Sequence, residues 1–185
     1  MIEDIKKEVE AHNRKAIGAL DDGFNKIRTG RANPAILDSV MVNYYGTPTQ
    51  LKQVANISVE DGRTLGIVPW EKNLVPEIER GIMKADLGLN PATSGDKIRV
   101  VMASLTEESR KDMIKVARAE AEKARVSIRS GRRDANATIK ELVKEKELSE
   151  DEARGAEDEV QKLTDAATAQ VEAHLASKEK ELMTV

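Results

Sequence analysis

Apolar side chains recur at three- and four-residue steps over residues 2–29: Ile2, Ile5, Val9, Ala16, Leu20, Phe24 and Ile27. That spacing predicts one face of a helix. His12 and Asn13 fall where the stripe needs a member. Gly30 is a stop signal, and Asn33-Pro34 enforces a break, because the residue before proline disfavours the helical region. From Thr106 the helical period returns. Ile114, Ala117, Ala121, Ala124, Ile128, Gly131, Ala135, Ile139 and Leu142 alternate three and four apart, predicting a long amphipathic helix. Thr106 reads as its N-cap, with Glu107 and Glu108 in the first turn, where the helix dipole favours acids. Ser149 with Glu152 matches a capping box and opens a third helix. The stripe of that helix is Ala156, Val160, Leu163, Ala167, Val171, Leu175 and Leu182.

Between the first and second helices the period changes. Val40, Val42 and Tyr44 alternate, as strand side chains do. Gly46-Thr47-Pro48 signals a turn. Residues 54–59, 65–70 and 98–102 read as further strands, and residues 75–86 as a short helix with Ile78, Ile82 and Ala85 on one side. Gly88, Asn90-Pro91 and Gly95-Asp96 punctuate the rest. No long helix can bury its stripe alone, so the economical arrangement is a three-helix bundle. The expected fold class is α+β with two domains. Residues 1–30 and 105–185 form a bundle that is discontinuous in sequence, and residues 31–104 form a small inserted α/β, strand-rich domain. Two crossings join them, at Gly30-Arg31 and at Ala103-Ser104-Leu105, and a pair of adjacent crossings is a natural hinge.

Composition narrows the function. Aromatic residues are only 2% of the chain, which excludes an aromatic-rich sandwich core and an aromatic platform for stacking single-stranded bases. Cysteine is absent, so there is no disulfide framework and no cysteine nucleophile or metal ligand. No apolar run approaches the roughly 20 residues that cross a bilayer, and Met1–Glu10 lacks the apolar core of a signal peptide. A soluble cytoplasmic chain is the expectation. The net charge of -3 hides an uneven distribution. Residues 106–146 hold twelve basic and eight acidic side chains, and residues 147–185 hold four basic and eleven acidic.

The basic excess is organised. At about 100° per residue, Lys111, Arg125, Arg129 and Arg132 fall within about 40° of Arg118, and Lys115 and Arg133 within about 60°. The predicted ridge is roughly 33 Å long at 1.5 Å per residue. Glu122 interrupts it. Such a ridge suits a nucleic-acid backbone, whose phosphates match the planar guanidinium fork and release counterions on binding. An ordinary solvated face, or pairing with the acidic third helix, is the alternative. Arg14, Arg28 and Arg31 are further candidates, although Arg28 also fits simple compensation of a helix dipole at its C-terminus.

Catalytic constellations are thin. His12 and His174 lie on or beside apolar stripes and read as core or edge histidines. No His-Glu pair has metal-ligand spacing, and Gly62 and Gly66 lack the lysine and glycine spacing of a phosphate loop. No catalytic set, metal or cofactor is implied. Trp70, after Pro69, reads as the anchor of the insert's core, with a docking residue as the alternative.

Six separated segments then stand in a distinctive order: Ile27-Arg28-Thr29-Gly30-Arg31-Ala32-Asn33-Pro34, Tyr45-Gly46-Thr47-Pro48, Pro69-Trp70, Asp86-Leu87-Gly88-Leu89-Asn90-Pro91, Leu105-Thr106-Glu107-Glu108 and Arg132-Arg133-Asp134-Ala135-Asn136. From the first helix to the last, the chain resembles the ribosome recycling factor family. The resemblance implies an L-shaped, monomeric, non-enzymatic protein with no cofactor and no membrane attachment. It implies a bundle lying on ribosomal RNA of the large subunit and a hinged small domain pushed by elongation factor G. Together, with GTP hydrolysed by the elongation factor, they would split the post-termination ribosome and release messenger RNA and deacylated transfer RNA. Carried over by position, Arg132 is the foremost RNA contact, with Arg129, Arg133, Arg125, Lys111 and Arg118 on the same ridge and Arg28, Gly30 and Arg31 at the junction. The chain departs from the family at Ala103 and Ser104, where prolines are common, and at Ser109, where arginine often stands. Gly131 is unusual for an apolar stripe, where glycine costs about 1 kcal/mol against alanine. Two other classes remain as rivals: a coiled-coil adaptor or chaperone for another helical protein, and an enzyme with its site in the insert.

Overall fold

The computed structural model describes residues 1–184. Residue 185, the last of the expected bundle domain, lies outside the described residues. In chain order the elements are α1 (Ile2–Asn25), β1 (Met41–Tyr44), β2 (Thr47–Gln50), α2 (Leu51–Val54), β3 (Ala55–Val59), β4 (Thr64–Pro69), α3 (Val75–Lys84), β5 (Pro91–Ser94), β6 (Lys97–Val101), α4 (Glu107–Lys144) and α5 (Glu150–Met183). They divide between two compact units, Met1–Phe24 with Asp112–Thr184, and Asn25–Lys111. Both contribute to an α+β fold.

The first unit is built from α1, α4 and α5. Their predicted stripes are their buried faces: Ile5, Val9, Asn13, Ala16, Leu20 and Phe24 on α1, and Ala117, Ala121, Ala124, Ile128, Gly131, Ala135 and Ile139 on α4. On α5, Ala153, Ala156, Val160, Thr164, Ala167, Val171, Leu175 and Leu182 are buried, with Lys178 among them. One continuous cluster joins Ile5 and Val9 to Ala135 and Ile139 and to Ala153, Ala156 and Val160. Alanine dominates the α4 stripe. Gly131 lies in the same stripe. A Cβ there would stand 2.5 Å from Cδ2 of His12. The His12 ring occupies that space, and its Nε2–H donates to the Ser127 carbonyl at 2.8 Å. α5 opens with the predicted capping box: Glu152 N–H donates to Ser149 Oγ, and Ser149 N–H donates to the Glu152 carboxylate.

The second unit holds a four-stranded antiparallel sheet of order β3-β4-β6-β5 and a separate β1-β2 hairpin. Its core is aliphatic, with Leu37, Val40, Val42, Leu65, Ile67, Ile78, Ile98 and Val100 at its centre. Trp70 does not anchor it, contrary to the sequence expectation, and is 68% exposed. Strand alternation gives the reason. Leu65, Ile67 and Pro69 point inward along β4, so the next residue points away. Two further expectations change. α1 ends at Asn25 and not near residue 29. β2 and β5, read as punctuation in the sequence, are strands.

Candidate nucleic-acid interface

Burial of the alanine-rich stripe fixes which face of α4 meets its neighbours, and the ridge cations lie beside that stripe. Arg118, Arg129 and Arg133 are exposed, and Arg125 and Arg132 are half-buried. Their partners divide the ridge. Arg118 Nε donates to Glu179 of α5 at 2.7 Å. Arg125 Nε donates to Glu172 of α5 at 2.7 Å, and its Nη1 to Glu122 at 3.1 Å. Arg129 Nη2 donates to the other oxygen of Glu122 at 2.8 Å. So the pairing with the acidic third helix that the sequence left open is formed at Arg118 and Arg125, and Glu122 bridges Arg125 and Arg129.

These contacts tune the acids. Hydrogen bonds from Arg129 and then Arg125 hold the Glu122 carboxyl below its ordinary range. Arg125 does the same to Glu172, and Glu172 in turn raises Arg125. Exposed ion pairs of this kind add little to stability.

Arg132 and Arg133 are different. Among the described residues, neither has a carboxylate within ion-pair distance. Arg132 Nη1 instead donates to the amide oxygen of Gln161 on α5 at 3.3 Å. The Gln161 amide nitrogen donates onward to Asp165 at 2.8 Å. The next turn of α4 brings Asn136, whose buried amide oxygen has no hydrogen-bond partner. Nothing in the sequence singled out Gln161, because an uncharged side chain leaves no mark in a charge pattern.

The other candidates belong to the second unit. Lys111, in the second turn of α4, pairs with Glu107 at 3.8 Å. Arg28 lies three residues past the end of α1, so it is not the dipole-compensating residue of a last turn; that alternative is corrected. Its guanidinium sits beside Gly88 and helps line a cavity of about 550 Å³ with Lys26, Asp38 and Asp86. Gly30 is buried with φ of +78°, a left-handed backbone that L side chains avoid. Arg31 is exposed, and its N–H donates to Thr29 Oγ1. Ala103, Ser104 and Leu105 form the non-helical link from β6 towards α4. Thr106 caps α4 by accepting from Ser109 N–H at 3.0 Å, and its hydroxyl donates to Ser109 Oγ.

His12 and His174 are both tied into helix contacts, the second through Nδ1 to Asp21 at 2.7 Å. Among the described residues, no cluster of three or more His, Asp or Glu side chains is placed to hold a metal ion, and no helix is long and apolar enough to cross a membrane.

Comparison with known proteins identifies the frame. The family model described as ribosome recycling factor matches residues 20–183. Ribosome-recycling factors of Saccharophagus degradans, Hahella chejuensis and Marinomonas sp. are 62%, 61% and 60% identical, each over all 185 residues and the full length of both chains. A solution structure of a ribosome recycling factor aligns with 38% identity and a TM-score of 0.78, covering 100% of this chain and 98% of that one. A second structure presents models of the Thermus thermophilus ribosome recycling factor and the Escherichia coli elongation factor G bound to the E. coli post-termination complex. It aligns with 40% identity and a TM-score of 0.68, covering 99% of each chain. Matched across nearly its whole length by both sequence and fold, the chain belongs to the ribosome recycling factor family.

Proposed function

We propose that this chain recycles ribosomes after translation termination. It binds the post-termination ribosome and, with elongation factor G and GTP, splits it into subunits, releasing messenger RNA and deacylated transfer RNA. The observation that carries this reading is the end-to-end identity of 60–62% with ribosome-recycling factors. The chain's own part is mechanical: it supplies anchorage and a moving domain, the nucleotide energy comes from the partner, and the chain performs no catalysis itself. Its site of action is the cytoplasm, with the ribosome.

Anchorage rests on the α4 ridge. Arg132 and Arg133 present charge that no carboxylate among the described residues pairs with, while Arg118, Arg125, Arg129 and Lys111 trade carboxylates for RNA phosphates on binding. Arg28 and Arg31 add contacts near the junction. Bending takes place at Gly30-Arg31 and at Ala103-Ser104-Leu105, between a bundle domain of residues 1–30 and 105–185 and an insert of residues 31–104.

Co-sedimentation with purified large ribosomal subunits across a salt series tests the anchorage. Binding should be saturable and fall steeply with salt. Arg132→Ala should weaken it about tenfold and lower the salt slope by about one, with a smaller loss for Arg129→Ala. Unchanged helicity in both variants is required. Absence of binding by the native chain at low salt would overturn the reading.

A further inference from the structure

We propose that Gln161 is a positioning residue for Arg132, holding the guanidinium in place while leaving its charge available to RNA. The inference rests on Arg132 being an RNA contact. Three observations support it. First, Arg118, Arg125 and Arg129 each donate to a glutamate, whereas Arg132 donates to a neutral amide. Second, that amide has a defined orientation. Asp165 accepts only from the amide nitrogen of Gln161, so the oxygen is turned towards Arg132. Third, Gln161 and Asp165 lie one turn apart on α5, a spacing that keeps both side chains on one helix face. A flexible arginine loses rotamer freedom when it is captured by a phosphate. A neutral acceptor prepays part of that ordering without the electrostatic cancellation that a carboxylate would bring.

The chemistry gives a sign test. Gln161→Glu turns the acceptor into a counterion, and Gln161→Leu removes it. Gln161 is exposed, so neither change disturbs the core. Binding to purified large subunits should weaken about threefold to tenfold for Gln161→Glu, with a salt slope lower by about one. Gln161→Leu should weaken it about threefold with the salt slope unchanged, and should add nothing in an Arg132→Ala background. The guanidinium proton signals of Arg132 in NMR spectra should be slowed in exchange and rotation in the native chain and averaged in Gln161→Leu. A silent Arg132→Ala would sink the interface and this inference together. A weakened Arg132→Ala beside Gln161 variants that bind like the native chain, or a Gln161→Leu loss that persists without Arg132, would overturn the positioning role alone. Melting curves of each variant supply the control for folding.

Discussion

Gly131 shows how one residue can serve a neighbour more than itself. By helix propensity alone, alanine at this position should stabilise α4 by about 1 kcal/mol. The His12 ring reverses that sign. An added Cβ would sit 2.5 Å from Cδ2, and the ring cannot simply turn aside, because its Nε2–H is committed to the Ser127 carbonyl. Gly131→Ala should therefore destabilise the bundle by about 1–3 kcal/mol through overpacking. Adding His12→Ala removes the obstruction, and in that background Gly131→Ala should become stabilising. Urea unfolding of the four proteins, followed by helical circular dichroism, reads the coupling directly. Equal effects of Gly131→Ala in both backgrounds would exclude the ring as the cause. The sequence placed His12 beside the apolar stripe and Gly131 on another, but a contact between residues so far apart in the chain has no local signature.

Among the elements, the long helices were legible because their stripes repeat over many turns and burial follows the stripe. β2 and β5 were not. Each is an edge strand holding a proline, Pro48 or Pro91, and mostly exposed side chains, and it is held by backbone pairing that needs no hydrophobic alternation. The ridge on α4 was legible for the same reason as the stripes, since helical phase follows from spacing. Its partners Glu172, Glu179 and Gln161 were not, because sequence fixes neither the rotation nor the register of α5 against α4. That register carries a pH dependence. Glu172 on α5 has its carboxyl held below the ordinary value of 4.5 by Arg125 of α4, whereas Glu122 is lowered by Arg129 and Arg125 within α4 itself. A group depressed on folding contributes stability that is complete above its unfolded value and lost as pH falls through its folded value. The clamp between α4 and α5 should thus be constant from pH 6 to 8 and weaken below about pH 4.5. Melting temperatures measured from pH 7 to pH 3 should fall more steeply for the native chain than for Glu172→Gln. The difference should be no more than a few degrees, since these pairs are solvent-exposed. Parallel curves would show that Glu172 contributes nothing to the acid limb.

At the scale of the whole molecule, the insert is fastened at both ends to one turn. Ala32 N–H donates to the Gly62 carbonyl at 2.9 Å, just after the first crossing, and Met102 N–H donates to the Arg63 carbonyl at 2.7 Å, just before the second. The same turn is stiffened by Asp61, whose side chain accepts from Arg63 N–H at 2.8 Å. The hinge proposed above should then bend in the residues just outside these anchors. On the first crossing, Gly30 is buried and holds a left-handed backbone, so the proposed bending should fall mainly on Ala103 and Ser104. Among the described residues, neither N–H of that pair donates a backbone hydrogen bond. Proline there removes no backbone hydrogen bond; it fixes φ near about -65° and restricts the residue before it to extended backbone. The double substitution Ala103→Pro with Ser104→Pro should therefore leave both units folded and restrict the motion between them. Backbone ¹⁵N relaxation measures this without reference to any particular angle. In the native chain the two units should tumble with separate apparent correlation times, and in the double-proline variant those times should converge. Subunit splitting with elongation factor G and GTP, measured beside the relaxation, shows whether the recycling activity needs this freedom. Separate correlation times that survive the prolines would move the hinge to Gly30-Arg31. A single correlation time in the native chain would mean that the two units move as one body before the ribosome is met.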